Sequence, residues 1–237
     1  MGSPRFPPAA DGAPRLPRVR LEGVSKSYGS GTEVLQPLSH VDLDLAVGET
    51  TSLLGRSGSG KSTLLSLIAG LMRPDTGRII VAGKDVAQLD DAGRARLRTE
   101  RIGIVLQSDN LIPFLTAQEN VELALAFRPR RGSSSRSREL LAELGLDSRR
   151  SSLPRRLSGG EAQRVAIAVA LANEPDLLLA DEVVGQLDRT TAGEVLELIF
   201  TASRERGLTV FYVTHDEQLA RAADRGLRLH EGRLIPA

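Results

Sequence analysis

The feature that most constrains this chain is a glycine-rich stretch between an apolar run and a helical pattern. Residues 55–63 read GRSGSGKST and fit the pattern G-x-x-x-x-G-K-[ST]. They follow the apolar residues 51–54, and residues 61–71 carry apolar side chains at helical spacing. A strand, a glycine-rich turn and a helix in this order are the context that a phosphate-binding loop requires. We therefore predict a parallel α/β fold with a phosphate site at one edge of its sheet.

Each residue type in this loop suits a polyphosphate. Glycines let backbone N–H groups curl around phosphate oxygens without side chains in the way, and the helix N-terminus adds partial positive charge. We expect Lys61 to reach the β- and γ-phosphates, Ser62 to offer its hydroxyl to Mg²⁺, and Thr63 to serve the α-phosphate. The candidate phosphate-binding residues are Gly55, Arg56, Ser57, Gly58, Ser59, Gly60, Lys61, Ser62 and Thr63.

A second candidate is an acidic pair at the end of an apolar strand. Residues 177–180 run directly into Asp181 and Glu182. A carboxylate at the carboxyl end of a parallel strand lies beside the phosphate loop in such sheets. Asp181 is then predicted to hold Mg²⁺, and Glu182 to face the water that attacks the γ-phosphate. Two solvent-facing acids would be a fair alternative without the phosphate loop, and are a much weaker one with it.

The order of patterns along the chain predicts one domain with an insertion. Strand and helix patterns alternate on both sides of a helical middle, which indicates a parallel-sheet core over residues 19–84 and 161–237 and a helical subdomain over about 85–160. Residues 1–18 are proline-rich and are predicted to be a disordered tail. Residues 128–138, basic and serine-rich, are predicted to be a solvated loop.

Composition excludes several classes of function. The 237 residues include no cysteine, so disulfides and cysteine-ligated metals are excluded, and three histidines argue against a structural zinc site. The formal net charge of +1 gives no electrostatic reason to expect nucleic acid or a membrane surface as partner. The longest apolar run, residues 165–172, is far shorter than the roughly 20 residues of a membrane span. Without a signal-peptide pattern either, we expect a cytoplasmic protein unless a partner holds it at the membrane.

A second glycine motif follows about a hundred residues after the first. Residues 157–164 read LSGGEAQR. Ser158 can cap the following helix, and Gly159 and Gly160 leave bare N–H groups at its start, which makes a second anion site. Taken alone, this stretch would be better interpreted as an ordinary helix cap.

With two anion sites in one chain, the sequence resembles the ABC ATPase family, in which L-S-G-G-[EQ] is the signature motif. Other motifs of that family match in order over residues 19–237. They are the adenine-stacking aromatic residue (Tyr28), the Q-loop glutamine (Gln107), the Walker B pair (Asp181 and Glu182), the end of the D-loop (Leu187 and Asp188) and the switch histidine (His215). One departure concerns the D-loop: the family usually has Pro-[ST]-[SAGN]-[AGN]-Leu-Asp, whereas residues 183–188 read VVGQLD, with Val183, Val184 and Gln186 at the altered positions.

The resemblance implies a P-loop NTPase fold with a RecA-like, mainly parallel core, an antiparallel β subdomain and a helical insertion. It implies ATP and Mg²⁺ as cofactors and a head-to-tail homodimer that hydrolyses ATP. The phosphate loop of one copy and Ser158, Gly159, Gly160 and Glu161 of the other would enclose each ATP. Glu182 would be the base, His215 would contact the γ-phosphate and orient Glu182, and Gln107 would contact Mg²⁺ and sense the partner. Lys61 and Asp188 complete the implied nucleotide site.

Residues 107–121 add a likeness to one subgroup. They match the string Q-S-x-x-L-[IL]-P-x-L-T-A-x-E-N-V of subunits that serve lipoprotein release, macrolide-type efflux and antimicrobial-peptide resistance. This likeness implies docking to a permease on a separate chain, a place on the inner face of the cell membrane, and export or extraction of a lipophilic or peptide substrate. The stretch itself is predicted to be the docking surface.

Three alternatives stay open. A cell-division ATPase would use the same cycle to act on a membrane partner without transport. A soluble ABC protein acting on DNA or ribosomes usually has a long coiled-coil insertion or two fused ATPase domains, and the sequence has neither; the basic stretch 128–138 is the one hint for it, and no nucleic acid is expected. A regulatory ATP binder without catalysis is disfavoured because Lys61, Asp181, Glu182 and His215 are all present.

Overall fold

The computed structural model describes residues 17–30, 33–108, 110–128, 133–182 and 189–237. The strands are β1 (Val19–Ser30), β2 (Glu33–Leu45), β3 (Thr50–Leu54), β4 (Thr76–Val81), β5 (Lys84–Asp85), β6 (Ile102–Val105), β7 (Leu177–Asp181), β8 (Thr209–Val213), β9 (Arg225–His230) and β10 (Arg233–Pro236). The α-helices are α1 (Lys61–Ile68), α2 (Asp91–Arg101), α3 (Ala117–Ala126), α4 (Ser133–Glu143), α5 (Gly159–Leu171), α6 (Arg189–Arg206) and α7 (Glu217–Ala220). The predicted tail up to residue 16 and the D-loop at 183–188, including Asp188, lie outside the described residues.

The larger sheet has six strands in the order β10-β9-β3-β8-β7-β6. All its neighbouring strands are parallel except the β9–β10 hairpin. Leu53 of β3 and Asp181 of β7 are both in register with Val213 of β8. Because parallel strands end at the same edge, the loops after β3, β6, β7 and β8 all open on one side of the sheet. The predicted parallel α/β core is confirmed.

A second sheet is antiparallel and has four strands in the order β2-β1-β4-β5. The first part of β2, residues 33–40, pairs with β1 through several register shifts, which interrupt the period-two pattern that marks a strand. The antiparallel β subdomain that the resemblance implied is therefore present.

The middle of the chain differs from prediction in two places. Residues 133–138, predicted as loop, form the start of α4, because Leu140, Leu141 and Leu144 bury that helix in the core and packing overrides its serine-rich composition. β6 lies inside the stretch 85–160 but pairs with β7 in the six-stranded sheet, so this part of the stretch belongs to the core. The outer boundaries of a helical subdomain stay a prediction.

The apolar interior consists of two clusters that share β7. Leu177 and Leu179 point into the cluster under the antiparallel sheet and α1, whereas Leu178 and Ala180 point into the cluster formed with α3, α4, α5 and α6. All residues of this strand are buried, which explains why residues 177–180 are apolar. Among the described residues, no helix has the length and hydropathy to cross a membrane.

Candidate functional site

The glycine-rich loop connects β3 to α1 and is shaped by steric limits within the chain. Gly60 precedes α1 with a φ of 102°, and a Cβ atom there would lie 2.7 Å from the Pro37 carbonyl oxygen. A Cβ on Gly55 would lie 2.7 Å from the Ser59 hydroxyl. Contacts within the chain thus favour glycine at both positions, through β2 at Gly60 and through the loop itself at Gly55, whether or not a ligand is bound. The motif was visible in the sequence, but the close contact between Pro37 and Gly60 was not.

Lys61 is the first residue of α1, and its side chain reaches back into this loop, where it is almost fully buried. Its ammonium donates hydrogen bonds to the carbonyl oxygens of Gly55, at 2.9 Å, and of Arg56, at 2.8 Å. The Ser59 hydroxyl is also buried and has no hydrogen-bond partner among the described residues. No side chain caps the N-terminus of α1. Positive charge, an unmet hydroxyl and free helix N–H groups in one loop fit a phosphate ligand.

Glu182 follows β7 and meets two of the other predicted residues. The Gln107 side-chain nitrogen donates to its carboxylate at 2.9 Å, and His215 Nδ1 lies 3.8 Å from its other oxygen. Its backbone has a φ of 51°, in the left-handed region, and its N–H donates to the Val213 carbonyl. Such a conformation is unfavourable for a residue with a side chain and is typical of functional positions. Three residues from three different loops thus converge here.

Asp181 is the neighbouring residue and suits a cation. Its side chain is 9% exposed, and no described residue donates a hydrogen bond to its carboxylate. The described residues contain no cluster of three His, Cys, Asp or Glu side chains that could hold a metal. Mg²⁺ does not need such a cluster when substrate phosphates supply the other ligands. The Ser62 hydroxyl, the Asp181 carboxylate and the Gln107 amide oxygen are the oxygen donors that this ion prefers, so the residues fit it.

Tyr28 lies beside the first turn of α1. Its hydroxyl is 3.4 Å from the Thr63 hydroxyl, and the Lys26 ammonium lies 5.8 Å from its ring centre. The ring is more than a third exposed. The structure therefore brings Tyr28 next to the loop with an open face, as stacking on a base would require.

The second glycine motif forms the start of α5. Ser158 and Glu161 make a capping box: the Glu161 N–H donates to the Ser158 hydroxyl at 3.2 Å, and the Ser158 N–H donates to the Glu161 carboxylate at 2.7 Å. Within the described residues, no hydrogen bond or ion pair joins this motif to the phosphate loop of the same chain. A Cβ on Gly159 would meet no atom within 4 Å, and this glycine has no positive φ. Nothing in the part of the chain that the structure describes explains glycine at this position.

The predicted docking stretch is part exposed and part buried. Phe114 is exposed, but Asn120 and Val121, which were predicted to belong to the docking surface, are buried. The Asn120 amide receives a hydrogen bond from the Ile112 N–H, and it donates to the carbonyl oxygens of Ile112, Leu115 and Thr116. Asn120 therefore holds the shape of the loop and does not face a partner.

An apolar groove lies beside this loop. It has a volume of about 350 Å³. Ile112, Leu123 and Phe127 contribute apolar wall, and the Phe127 side chain is 71% exposed. The groove runs between α3 and the β6 edge of the sheet. We name it the α3 groove.

Comparisons with known proteins agree on what this chain is similar to. A family model described as ABC transporter matches residues 38–185. The chain is 46% identical to the ABC transporter ATP-binding protein YbbA of Escherichia coli K12 over 91% of its own length and 96% of that protein. It is also 46% identical to the lipoprotein-releasing system ATP-binding protein LolD of Geobacter metallireducens, over 92% of this chain and 97% of the relative.

Solved structures give the same result. A dimeric structure of the ATP-binding cassette MJ0796 in a post-hydrolysis state, bound to ADP and phosphate, superimposes with a TM-score of 0.87 at 40% identity. It covers 92% of this chain and 98% of that one. A second dimeric structure of the same cassette gives a TM-score of 0.86.

Proposed function

The chain belongs to the ABC transporter family as one of its ATP-hydrolysing cassettes, and from this premise we propose that two copies close head to tail over ATP to drive a membrane permease carried on a separate polypeptide. The family and the ATPase activity follow from the matches over nearly the whole chain. The pairing of two copies, the permease and the residue roles are our proposals.

The main observation in favour of a dimer is that α5 begins with two residues without side chains, Gly159 and Gly160. Gly159 is glycine without an internal reason, which suits a close approach by a ligand from outside the chain. The Ser158 hydroxyl accepts from the Glu161 N–H, and by turning its proton from the Glu161 carboxylate it can donate to an outside acceptor. The cassette MJ0796, to which this chain is similar, is dimeric and binds ADP and phosphate. These features support a second copy supplying Ser158, Gly159 and Gly160 to the γ-phosphate.

The catalytic roles follow from the convergence at Glu182. Glu182 accepts the proton of the attacking water, and its left-handed backbone aims the carboxylate toward Gln107 and His215. His215 contacts the γ-phosphate and orients Glu182, while Lys61 neutralises developing charge on the β- and γ-phosphates. A Mg²⁺ ion held by Ser62, Asp181 and Gln107 would supply further positive charge beside the same phosphates.

Tyr28 is proposed to stack on the adenine and Asp188 to complete the nucleotide site from the D-loop. The permease is proposed to dock at Phe114 and in the α3 groove, because both offer exposed apolar surface beside the loop that leads to Gln107. Docking would place the chain on the inner face of the membrane. Relatives named as lipoprotein-releasing subunits favour extraction of a lipid-modified or peptide substrate.

The test uses Glu182→Gln, which keeps the shape of the site but removes the base. In ATP and Mg²⁺ this variant should accumulate as a dimer in sedimentation velocity, because hydrolysis no longer separates the copies. Glu182→Gln combined with Lys61→Ala is the matched control and should stay monomeric. If Glu182→Gln alone also stays monomeric in ATP at high protein concentration, the head-to-tail mechanism is wrong for this chain.

A further inference from the structure

An ion pair lies directly beside the signature motif, at a residue that none of the recognised motifs includes. Arg149, in the 3-10 helix Asp147–Arg149, places its Nε 2.7 Å from the Glu161 carboxylate. The Arg149 side chain is about half exposed, whereas that of Glu161 is 17% exposed. The pair therefore links the start of α5 to a segment that precedes it by about ten residues.

The two oxygens of Glu161 have different partners. Oε2 accepts the N–H of Ser158, and Oε1 accepts Nε of Arg149. These donors lower the pKa of Glu161 to about 2, with the Ser158 N–H the larger cause and Arg149 the next. The carboxylate consequently stays ionised, and both of its contacts persist, at any physiological pH.

The arrangement of Glu161 decides how Ser158 presents its hydroxyl. The Glu161 N–H occupies one acceptor position of the Ser158 oxygen, and the Ser158 side chain is also among the groups that hydrogen-bond to the Glu161 carboxylate. If the Glu161 side chain turned away, the Ser158 N–H would lose its acceptor and the capping box would open. The orientation of the Ser158 hydroxyl therefore depends on the position of the Glu161 side chain.

Arg149 is itself held by backbone hydrogen bonds. Its N–H donates to the Leu146 carbonyl at 3.0 Å, and its own carbonyl accepts from the Ser152 N–H at 2.9 Å. The Ser152 carbonyl in turn accepts the N–H of Ala117, the first residue of α3. Arg149 therefore lies in a hydrogen-bonded turn, and this turn is hydrogen-bonded to the start of α3.

We propose that Arg149 is a positioning residue for the ATP site in trans: by holding the Glu161 carboxylate it fixes the Ser158 hydroxyl that the partner copy's γ-phosphate meets. This inference rests on the proposed function, because it needs the signature to act on the other copy. Arg149 makes no contact with the phosphate loop of its own chain among the described residues. Its effect should therefore concern closure of the dimer and not binding of ATP to the monomer.

The experiment measures the dimer dissociation constant in the Glu182→Gln background, with ATP and Mg²⁺, by sedimentation velocity. Adding Arg149→Ala should weaken dimerisation about tenfold, since an exposed ion pair is worth roughly a threefold effect per site and the effects at the two sites of the dimer multiply. The affinity of the monomer for a fluorescent ATP analogue should stay unchanged, and the Tm should fall by no more than it does in Glu161→Gln. Arg149→Lys, which keeps a positive charge within reach of Glu161, should recover most of the loss.

Two further variants locate the effect. Arg150→Ala is the matched control, because the neighbouring arginine donates to Asp147 and not to Glu161, and it should leave dimerisation unchanged. Glu161→Gln keeps one oxygen for the Ser158 N–H but presents an amide nitrogen to Arg149, so it breaks the same link. Arg149→Ala should therefore add little further loss in a Glu161→Gln background.

The outcomes separate the two proposals. If the Glu182→Gln reference fails to dimerise, the proposed function fails and this inference fails with it. If the reference dimerises but Arg149→Ala matches Arg150→Ala, or adds fully to Glu161→Gln, the inference alone is overturned. It is equally overturned if Arg149→Ala lowers the Tm and the monomer's ATP affinity together, because the role would then be general stability.

Discussion

At the scale of single residues, two glycines of the phosphate loop have different reasons for being glycine. Gly58 has a φ of 76° but open space around it, whereas Gly60 combines a φ of 102° with the close approach of Pro37. The first position excludes side chains only through backbone conformation. The second also excludes side chains because the backbone of Pro37 is close, and Pro37 cannot move without distorting β2.

We predict that Gly58→Ala destabilises the fold by about 1 kcal/mol, which is roughly the cost of a left-handed backbone for a residue with a side chain. Gly60→Ala should destabilise it by about 3 kcal/mol, because the clash with Pro37 adds to that cost. Urea unfolding followed by circular dichroism, without nucleotide, measures both. Equal losses would show that the contact with Pro37 does not limit this position.

Glu161 gives a prediction about pH. Its pKa is lowered from the ordinary value of 4.5 to about 2 in the folded chain. The ionised carboxylate thus stabilises the fold above about pH 4.5, and this contribution is lost as the pH falls from 4.5 towards 2. Wild type should exceed Glu161→Gln in the free energy of unfolding by about 1 kcal/mol at pH 7, and the gap should narrow at pH 3.5. Glu194→Gln, at an exposed position of α6, is the control and should show no such narrowing.

At the scale of elements, the loop before α3 depends on one side chain. Asn120 replaces the hydrogen bonds that this irregular backbone cannot make with itself. We predict that Asn120→Ala destabilises the chain by about 2 kcal/mol, because the Ile112 N–H and the Leu115 carbonyl lose their partner together. Gln118→Ala, at a partly buried residue of the same helix, should cost under 1 kcal/mol. Urea unfolding compares them, and a loss for Asn120→Ala no larger than the control's would contradict this role.

The sequence predicted the elements better than the contacts between them. The strands that precede the phosphate loop and Glu182 were predicted, because each is a short apolar run beside a recognisable motif. The start of α4 was missed because serine-rich composition indicates a loop, and only tertiary packing shows the helix. Arg149, Pro37 and the buried position of Asn120 depend on residues distant in sequence, so no local pattern could have revealed them.

At the scale of the whole molecule, β7 joins the two halves of the interior. Leu178 and Leu179 are adjacent in sequence, fully buried, and belong to different apolar clusters. We predict that Leu178→Ala and Leu179→Ala each cost about 2–5 kcal/mol and shift one common unfolding transition. Circular dichroism at increasing urea concentrations measures this. Two separate transitions in either variant would mean that the clusters unfold independently.

The way in which Asn120 holds its loop has a consequence for how such chains choose their partners. The amide bonds only to main-chain atoms, so its support of residues 112–116 does not depend on the side chain of Phe114. Phe114 can then be exchanged for another residue while the scaffold beneath it keeps its form. If a permease docks at Phe114 as proposed, a cassette built in this way could be redirected to a different permease by changing a few outward-facing side chains, with its ATP site unchanged.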